Sequence, residues 1–504
     1  MKALRFLVFG SAIVAAIGMT TALAQQQPAA RSSPGRPIAL VGGTLLDGTG
    51  GASVRNSVVL IRGDRIEAIG TVDSLPVPGG YDVISSEGLT VLPGLWDLHV
   101  HLMYAGHPNA RYWFDTYTSQ FERVIMPASA EQLLMAGVTT ARDLAAPPRE
   151  IVAVKKRIAS GEIPGPTLYV AGPALTKGGN PNAVQTWNVS GAADARAKTR
   201  QLIDEGVDWI KVLNAEQLAP EEMTAIVSEA HANGRKVAAH AFSEGEIRQG
   251  LKAGVDDFQH LRTQTPIYPP DIVEMIRDRV KSGPPLYWTI TAGGNGQLNA
   301  AYLASNPEYL DDPANFVGLP QPIVDDVRKG IAARTRGTAA GPGRGGQSQE
   351  EINAIVKRKV AQIRELGVEI VFGTDVGSWG EVTGQAAWME ADLWVHQLVI
   401  DPMMVIRSMT LDAARMMGAD RESGSISQGK FADVIAVRGD PLRNIDVLRD
   451  PRIVIKHGRR YKKPPSCQRD VGRGILPSCI AACHAKVAMT IADCLRSSSL
   501  MRSG

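Results

Sequence analysis

Between residues 93 and 421 the chain repeats one pattern, a short apolar run followed by a longer amphipathic stretch. The apolar runs fall at 95–102, 138–144, 167–175, 209–213, 236–242, 256–261, 286–291 and 370–376. They are strand-length and nearly continuous in apolar character, as strands covered on both faces are. The stretches QLLMAG, EIVAVKKRIASG, ARAKTRQLIDEG, PEEMTAIVSEAHANG, EGEIRQGLKAG, PDIVEMIRDRVKSG and EEINAIVKRKVAQIRELG separate most of them. Their periodicity is helical, and the closing Gly is a common helix stop. Strand–helix alternation repeated eight times predicts an α/β fold, a (β/α)8 TIM barrel. A doubly wound open sheet is the alternative, but no G-x-G-x-x-G follows an early strand.

The flanks read differently. Residues 37–92 carry short apolar runs closed by Gly or Gly-Asp, the mark of strands joined by tight turns. A matching piece returns in GSISQGKFADVIAVRGDPL and PRIVIKHGRRYK. Chain ends of a domain often lie close together, so residues 37–92 and 422–463 are expected to complete one antiparallel β-unit. Two segments break the alternation. Residues 292–320 are long for a strand-to-helix loop and read as a functional lid or a disordered stretch. Residues 336–349 are rich in Gly, Arg and Ser and read as mobile. Residues 403–418 read as one helix packing the barrel onto the β-unit, with a methionine stripe that fills core.

Composition adds limits rather than a function. At 504 residues the chain is long enough for two or more domains. Hydrophobic residues make up 44% and charged residues 21%, ordinary for a globular protein, and a net charge of +3 gives no reason to expect nucleic acid. Lys2 and Arg5, an apolar run and Ala22-Leu23-Ala24 form a secretory signal over residues 1–24. The run is short for a membrane anchor. Cleavage after Ala24, a periplasmic or secreted protein and no stable membrane insertion after cleavage are expected. Residues 25–36 then form a polar, Pro-rich leader. All four cysteines, Cys467, Cys479, Cys483 and Cys494, lie in the tail at 464–504, and four cysteines admit three pairings. A disulfide-stapled appendage, a disordered tail and a frame artefact all stay open for that tail. Its C-x-x-x-C-H string is one residue longer than a haem attachment motif.

The chemistry begins at VLPGLWDLHVHLMYAG, residues 91–106. His99 and His101 are two apart, so on a strand both point the same way. Imidazole nitrogen is a good zinc ligand. A barrel gathers its chemistry at the C-terminal ends of its strands. The other ionisable residues at those ends are Lys211, His240, His260 and Asp375. Each alone has a structural reading, a rim histidine or a turn aspartate. Lys211 is sharper, because Trp209, Ile210, Val212 and Leu213 around it are apolar. A buried ammonium needs compensation.

The string PGLWDLHVH resembles the first barrel strand of the amidohydrolase superfamily. The DWIK strand, AGVTTARDL, PGPTLYVAGPALTKGG, GTDVG and G-x-I-x-x-G-K-x-A-D carry the resemblance over roughly residues 38–462. They narrow it to the imidazolonepropionase-like and prolidase-like branch. The resemblance implies a small β-sandwich built from both flanks of the barrel. It implies two divalent metal ions, zinc being the expected metal, and a CO2-derived carbamate on Lys211. His99, His101 and Asp375 would hold the first ion and His240 and His260 the second, with carboxylated Lys211 bridging. Asp375 would move the proton from water to the leaving nitrogen.

The function this implies is metal-dependent hydrolysis of a C–N bond in a small-molecule substrate: an N-acyl amino acid, a dipeptide or a cyclic amide. The alternatives are an esterase, lactonase or phosphotriesterase on the same site, or a non-catalytic ligand-binding barrel. A homo-oligomer is compatible with the sequence. Tyr104, Trp187, Phe242 and Arg262 are the candidate substrate contacts. Relatives often have Tyr where this chain has Phe242, which puts recognition of a free carboxylate in question.

Overall fold

Strand pairing divides the chain into an outer β-unit and an inner ring. Five strands come first: β1 (Ile38–Leu45), β2 (Val54–Arg62), β3 (Arg65–Thr71), β4 (Asp82–Ser85) and β5 (Leu89–Pro93). The ring uses β6 (Leu95–Val100), β7 (Val138–Asp143), β8 (Thr167–Val170), β9 (Ala174–Thr176), β10 (Thr186–Asn188), β11 (Trp209–Val212), β12 (Lys236–His240), β13 (Asp257–Gln259), β14 (Tyr287–Ile290) and β15 (Glu369–Phe372). Three strands follow: β16 (Val434–Arg438), β17 (Ile453–Lys456) and β18 (Arg459–Lys462). This computed structural model describes residues 35–179, 183–261, 265–292, 307–337, 349–377 and 380–462. The expected signal segment, nearly all of the leader, Arg262, residues 338–348 of the Gly/Arg-rich stretch and the cysteine-bearing tail lie outside the described residues.

The ring is two parallel sheets. One is β6-β7-β8 and the other β10-β9-β11-β12-β13-β14-β15. They adjoin at two seams. At the first, the Asp208 amide donates to Val170 O at 2.8 Å, at the end of β8. At the second, Val100 bridges Val376, and the His101 amide donates to Val376 O at 3.0 Å. The run expected at 167–175 is thus split into β8 and β9, with Gly172 at φ +67° in the break. Taken as one position, β8–β9 completes eight parallel positions in chain order among the described residues. This is the (β/α)8 architecture, with functional groups directed to the C-terminal ends.

Seven helices among the described residues fall where the sequence places them: Met126–Met135, Pro148–Ala159, Gly191–Glu205, Pro220–Ala232, Glu244–Ala253, Pro270–Ser282 and Gln349–Glu365. Ala110–Tyr117, Gln321–Gly337 and Ala386–His396 were not anticipated. Ala386–His396 (AAWMEADLWVH) buries residues on most sides, so it has little amphipathic period to read. The helix expected over 403–418 is two, Pro402–Ser408 and Leu411–Met416, broken where Thr410 leaves helical geometry at φ −141°, ψ −96°.

The β-unit departs from expectation in a second way. It is one eight-stranded sheet, β18-β17-β16-β5-β1-β2-β3 with β4 also on β1, and it is mixed rather than antiparallel. β1 pairs in parallel with β4 over its first half and with β5 at its end. The changeover falls at Gly42 and Gly43, where a Cβ on Gly43 would sit 2.7 Å from Ser86 Oγ. β16 pairs antiparallel with β5, joining the two flanks. The far edge curls back, since the Ile66 amide donates to Lys430 O at 2.9 Å. The two flanks thus complete one curled sheet around a shared apolar core, as the sequence leads one to expect.

Candidate active site

Six side chains named from the sequence sit at C-terminal strand ends of one ring. His99 lies on β6 and His101 one residue beyond it. Lys211 lies on β11, His240 closes β12, His260 follows β13, and Asp375 lies three residues past β15. β11 and β12 are register partners through Lys211 and Ala238, and β12 and β13 through His240 and Gln259.

His260 and Asp375 are aimed by an unusual backbone. Their φ angles are +71° and +63°, the left-handed region that costs a non-glycine residue about 1–3 kcal/mol. Neighbours hold both turns. The indole Nε1 of Trp288 donates to His260 O, and the Asp375 amide donates to His99 O at 2.7 Å. Glycines let the strands close: a Cβ on Gly373 would stand 2.8 Å from His99 Cβ, and one on Gly377 would collide with His101 O.

Nε2 of His101 and of His99 lie 3.0 Å and 3.3 Å from Asp375 Oδ1. The ligand atoms of these three residues all lie within 4.8 Å of one another, a spacing that suits one metal ion. The other Asp375 oxygen, Oδ2, is 4.0 Å from His260 Nδ1. His260 adjoins both halves of the site, with ring centroids 4.9 Å from His99 and 4.7 Å from His240. Its Nδ1 lies 2.5 Å from Thr291 Oγ1, which fixes the orientation of the ring.

Burial favours the uncharged forms of His99 and Lys211. It pushes the His99 imidazole well below its ordinary pKa, helped by the positive charge of Lys211 and by the other histidines. Burial likewise brings the Lys211 amine down to about 7. The Lys211 side chain is 1% exposed, and its Nζ finds no hydrogen-bond partner among the described residues. Both ring nitrogens of His99 and Nδ1 of His101 are also buried without hydrogen bonds. Buried polar atoms are nearly always satisfied. Imidazoles, a carboxylate and an amine able to turn neutral are a donor set that fits divalent metal ions.

Four further residues position the site, and the sequence reading assigned none of them a role. Asp97 accepts from the amides of His99 (3.2 Å) and Thr374 (3.1 Å) and from Thr374 Oγ1 (2.7 Å), tying β6 to the turn that carries Asp375. Burial raises its carboxyl to about 7 against these bonds. Asp143 accepts from the amides of Leu102 and Ala145, and burial raises it to about 6. Arg142 is fully buried. It donates to Leu98 O at 2.8 Å and to Asp257 Oδ2 at 2.6 Å, and its guanidinium lies 4.4 Å from the Trp209 ring centroid. Arg142 and Asp143 belong to AGVTTARDL and Asp257 to DDFQHL. A charge in a strand expected to be buried was present for all three, though in less apolar company than Lys211 has.

The candidate substrate contacts separate. Phe242 stacks on His260 with centroids 4.4 Å apart and planes 10° off parallel. Tyr104 is buried and sits edge-on to His101 at 6.1 Å, but its hydroxyl is engaged by Gln185. Trp187 is half-buried on β10, opposite Leu175. Arg262 lies outside the described residues.

Comparison with known proteins gives the same outline. The Amidohydrolase family profile matches residues 90–279 and 333–460. Ochratoxinase of Aspergillus niger is 25% identical over 472 residues, covering 84% of this chain and 86% of that protein. Imidazolonepropionase of Legionella pneumophila (strain Lens) is 38% identical over 76 residues, 14% of this chain and 19% of that one. Among solved structures, a Xaa-Pro dipeptidase with methionine in its active site superposes with a TM-score of 0.62 at 24% identity, covering 84% of this chain and 100% of that one.

Proposed function

The chain belongs to the amidohydrolase family of hydrolases acting on carbon–nitrogen bonds, and from that premise we propose an exported, binuclear metal-dependent enzyme that cleaves an N-acyl amino acid, a dipeptide or a cyclic amide. The observation that carries the binuclear reading is the Lys211 amine, buried in the donor set with no hydrogen-bond partner among the described residues. An amine whose pKa burial has brought to about 7 is half neutral near physiological pH. The neutral form is the one that adds CO2, with loss of a proton, and the carbamate carries one negative charge shared by two oxygens in place of an uncompensated cation.

His99, His101 and Asp375 would hold one divalent ion, His240 and His260 the other, with carboxylated Lys211 between them. Zinc suits these nitrogen and oxygen donors. Bound there, the ions would supply a water acidic enough to ionise near neutral pH and polarise the scissile carbonyl. The protein's own residues supply the rest. Asp375 has one oxygen, Oδ1, turned to His99 and His101, which leaves Oδ2 to take a proton from water and return it to the leaving nitrogen. Thr291 fixes the ring of His260. Asp97 and Thr374 hold Asp375 in register with His99. Names among the comparisons, ochratoxinase and Xaa-Pro dipeptidase, support the choice of substrate class.

The test is amine release from a panel of N-acyl amino acids and dipeptides, with the protein supplied with zinc and bicarbonate. Activity on at least one member is expected, with a loss of about 10²–10⁴-fold in Asp375→Asn. An Asp375→Asn enzyme of undiminished rate would remove Asp375 from proton transfer. Export is tested separately, by sequencing the N-terminus of protein recovered outside the cytoplasm. Gln25 is expected there.

A further inference from the structure

The segment after β9 is built to hold one side chain still. The Ala174 amide donates to Gln185 O at 2.9 Å, and β10, which starts at the next residue, pairs with β9. Asn188 closes the loop base by exchanging two 2.8 Å hydrogen bonds with Gly179, and Lys198 Nζ donates to Asn188 O. The Gln185 side chain is fixed in turn, because Tyr104 donates its hydroxyl to Oε1.

Tyr104 is itself immobile. It is 6% exposed, it packs against Phe114 at 5.2 Å, and its ring stands edge-on to His101. Its hydroxyl is near enough to Asp375 for the carboxylate's charge to push its pKa up, after burial. The carboxamide of Gln185 is thus one tyrosine ring away from a residue of the candidate metal site. With Oε1 taken, both hydrogens of Nε2 remain, and they meet no acceptor among the described residues.

We propose that Gln185 is a substrate-orienting residue, donating its Nε2–H to an amide carbonyl oxygen of the substrate, and that Tyr104 is the positioning residue that presents it. This rests on the reading above that the substrate is an amide. It moves Tyr104 from a substrate contact to a support, and it assigns recognition to a neutral donor suited to a neutral acceptor. An immobilised donor spends little entropy on binding, which is what makes such a group selective.

The experiment is calorimetric titration of the zinc-loaded full chain with N-acetyl-L-phenylalanine amide, a neutral probe carrying two amide carbonyls. Amine release is followed in the same samples. The variants are Gln185→Glu, Gln185→Met and Tyr104→Phe. Gln185→Glu keeps an acceptor for Tyr104 and has no N–H to offer. Affinity is expected to fall about tenfold in Gln185→Glu and Gln185→Met, the worth of one hydrogen bond. A smaller fall is expected in Tyr104→Phe, with zinc content and unfolding midpoint at wild-type values in all three. If Gln185 merely anchors its loop, Gln185→Glu binds like wild type, and that result overturns the proposal. So does a wild-type protein that does not bind the probe. Binding that weakens as expected without amine release would sink the hydrolase reading for this probe and leave Gln185 standing. Hydrolysis with equal affinity across the variants would do the reverse.

Discussion

Replacing Lys211 with methionine separates two effects of opposite sign. The Lys211 side chain is 1% exposed and its amine has no hydrogen-bond partner among the described residues. A buried polar group left unsatisfied costs about 1–3 kcal/mol, and methionine fills similar space without one. In metal-free, CO2-free buffer at pH 7, Lys211→Met is therefore expected to be more stable than wild type by about 1–3 kcal/mol. The difference should also depend on pH. Burial brings the amine from 10.5 to about 7 in the folded protein. Between these values the unfolded chain keeps a proton that the folded chain has lost, so wild-type stability rises with pH through this window. From pH 7 to pH 9 the gain is about 2 kcal/mol, from 1.36 kcal/mol per pH unit less the half-protonation at pH 7. Lys211→Met lacks this term, so its advantage shrinks or vanishes at pH 9. Adding zinc and bicarbonate should reverse the order outright, because wild type gains a bridging ligand that methionine cannot supply. Urea unfolding at the two pH values, with zinc counted by mass spectrometry, reads all three. A metal-free Lys211→Met protein less stable than wild type at pH 7, or one with the same pH slope, would refute the reasoning. It would mean that Lys211 has a partner in the fold.

Other perturbations test the supports. Arg142→Met should destabilise by about 3–5 kcal/mol, because Asp257 is left buried without its cation. Arg142→Met with Asp257→Leu should cost clearly less than the two single changes added, and urea midpoints decide it. Thr291→Val removes the group that orients His260, so the more weakly held zinc ion should lose about 10–100-fold in affinity, read by competition with a chromophoric chelator. Removing metal by chelation should abolish amine release, and zinc with bicarbonate should restore more of it than zinc alone.

Much of the site was legible because its residues contradict their surroundings. A lysine between Ile210 and Val212, or histidines ending apolar strands, stand out against a background that favours burial of carbon. Arg142, Asp143 and Asp257 are also charges in strands expected to be buried, but their role became visible only when neighbouring strands brought their partners together. Gln185 gave no signal at all. A glutamine in a loop is ordinary, and only the hydroxyl of Tyr104, 81 residues away in sequence, makes it a fixed donor. The helix Ala386–His396 was missed for the opposite reason, since a helix buried on most sides has little polar face to reveal its period.

By itself the sequence determined the alternation of strand and helix, the eight parallel positions, and the residue types at the strand ends. Those follow from local rules: which side chains alternate, which runs are apolar, where Gly stops a helix. Tertiary structure decided the remainder. It split the third strand at Gly172, curled the β-unit into one sheet, and turned His260 and Asp375 through left-handed backbone onto a common centre. It also buried Lys211. Burial, not the lysine's neighbours in sequence, brings its amine to about 7, and burial is set by strands that meet only once the ring has formed.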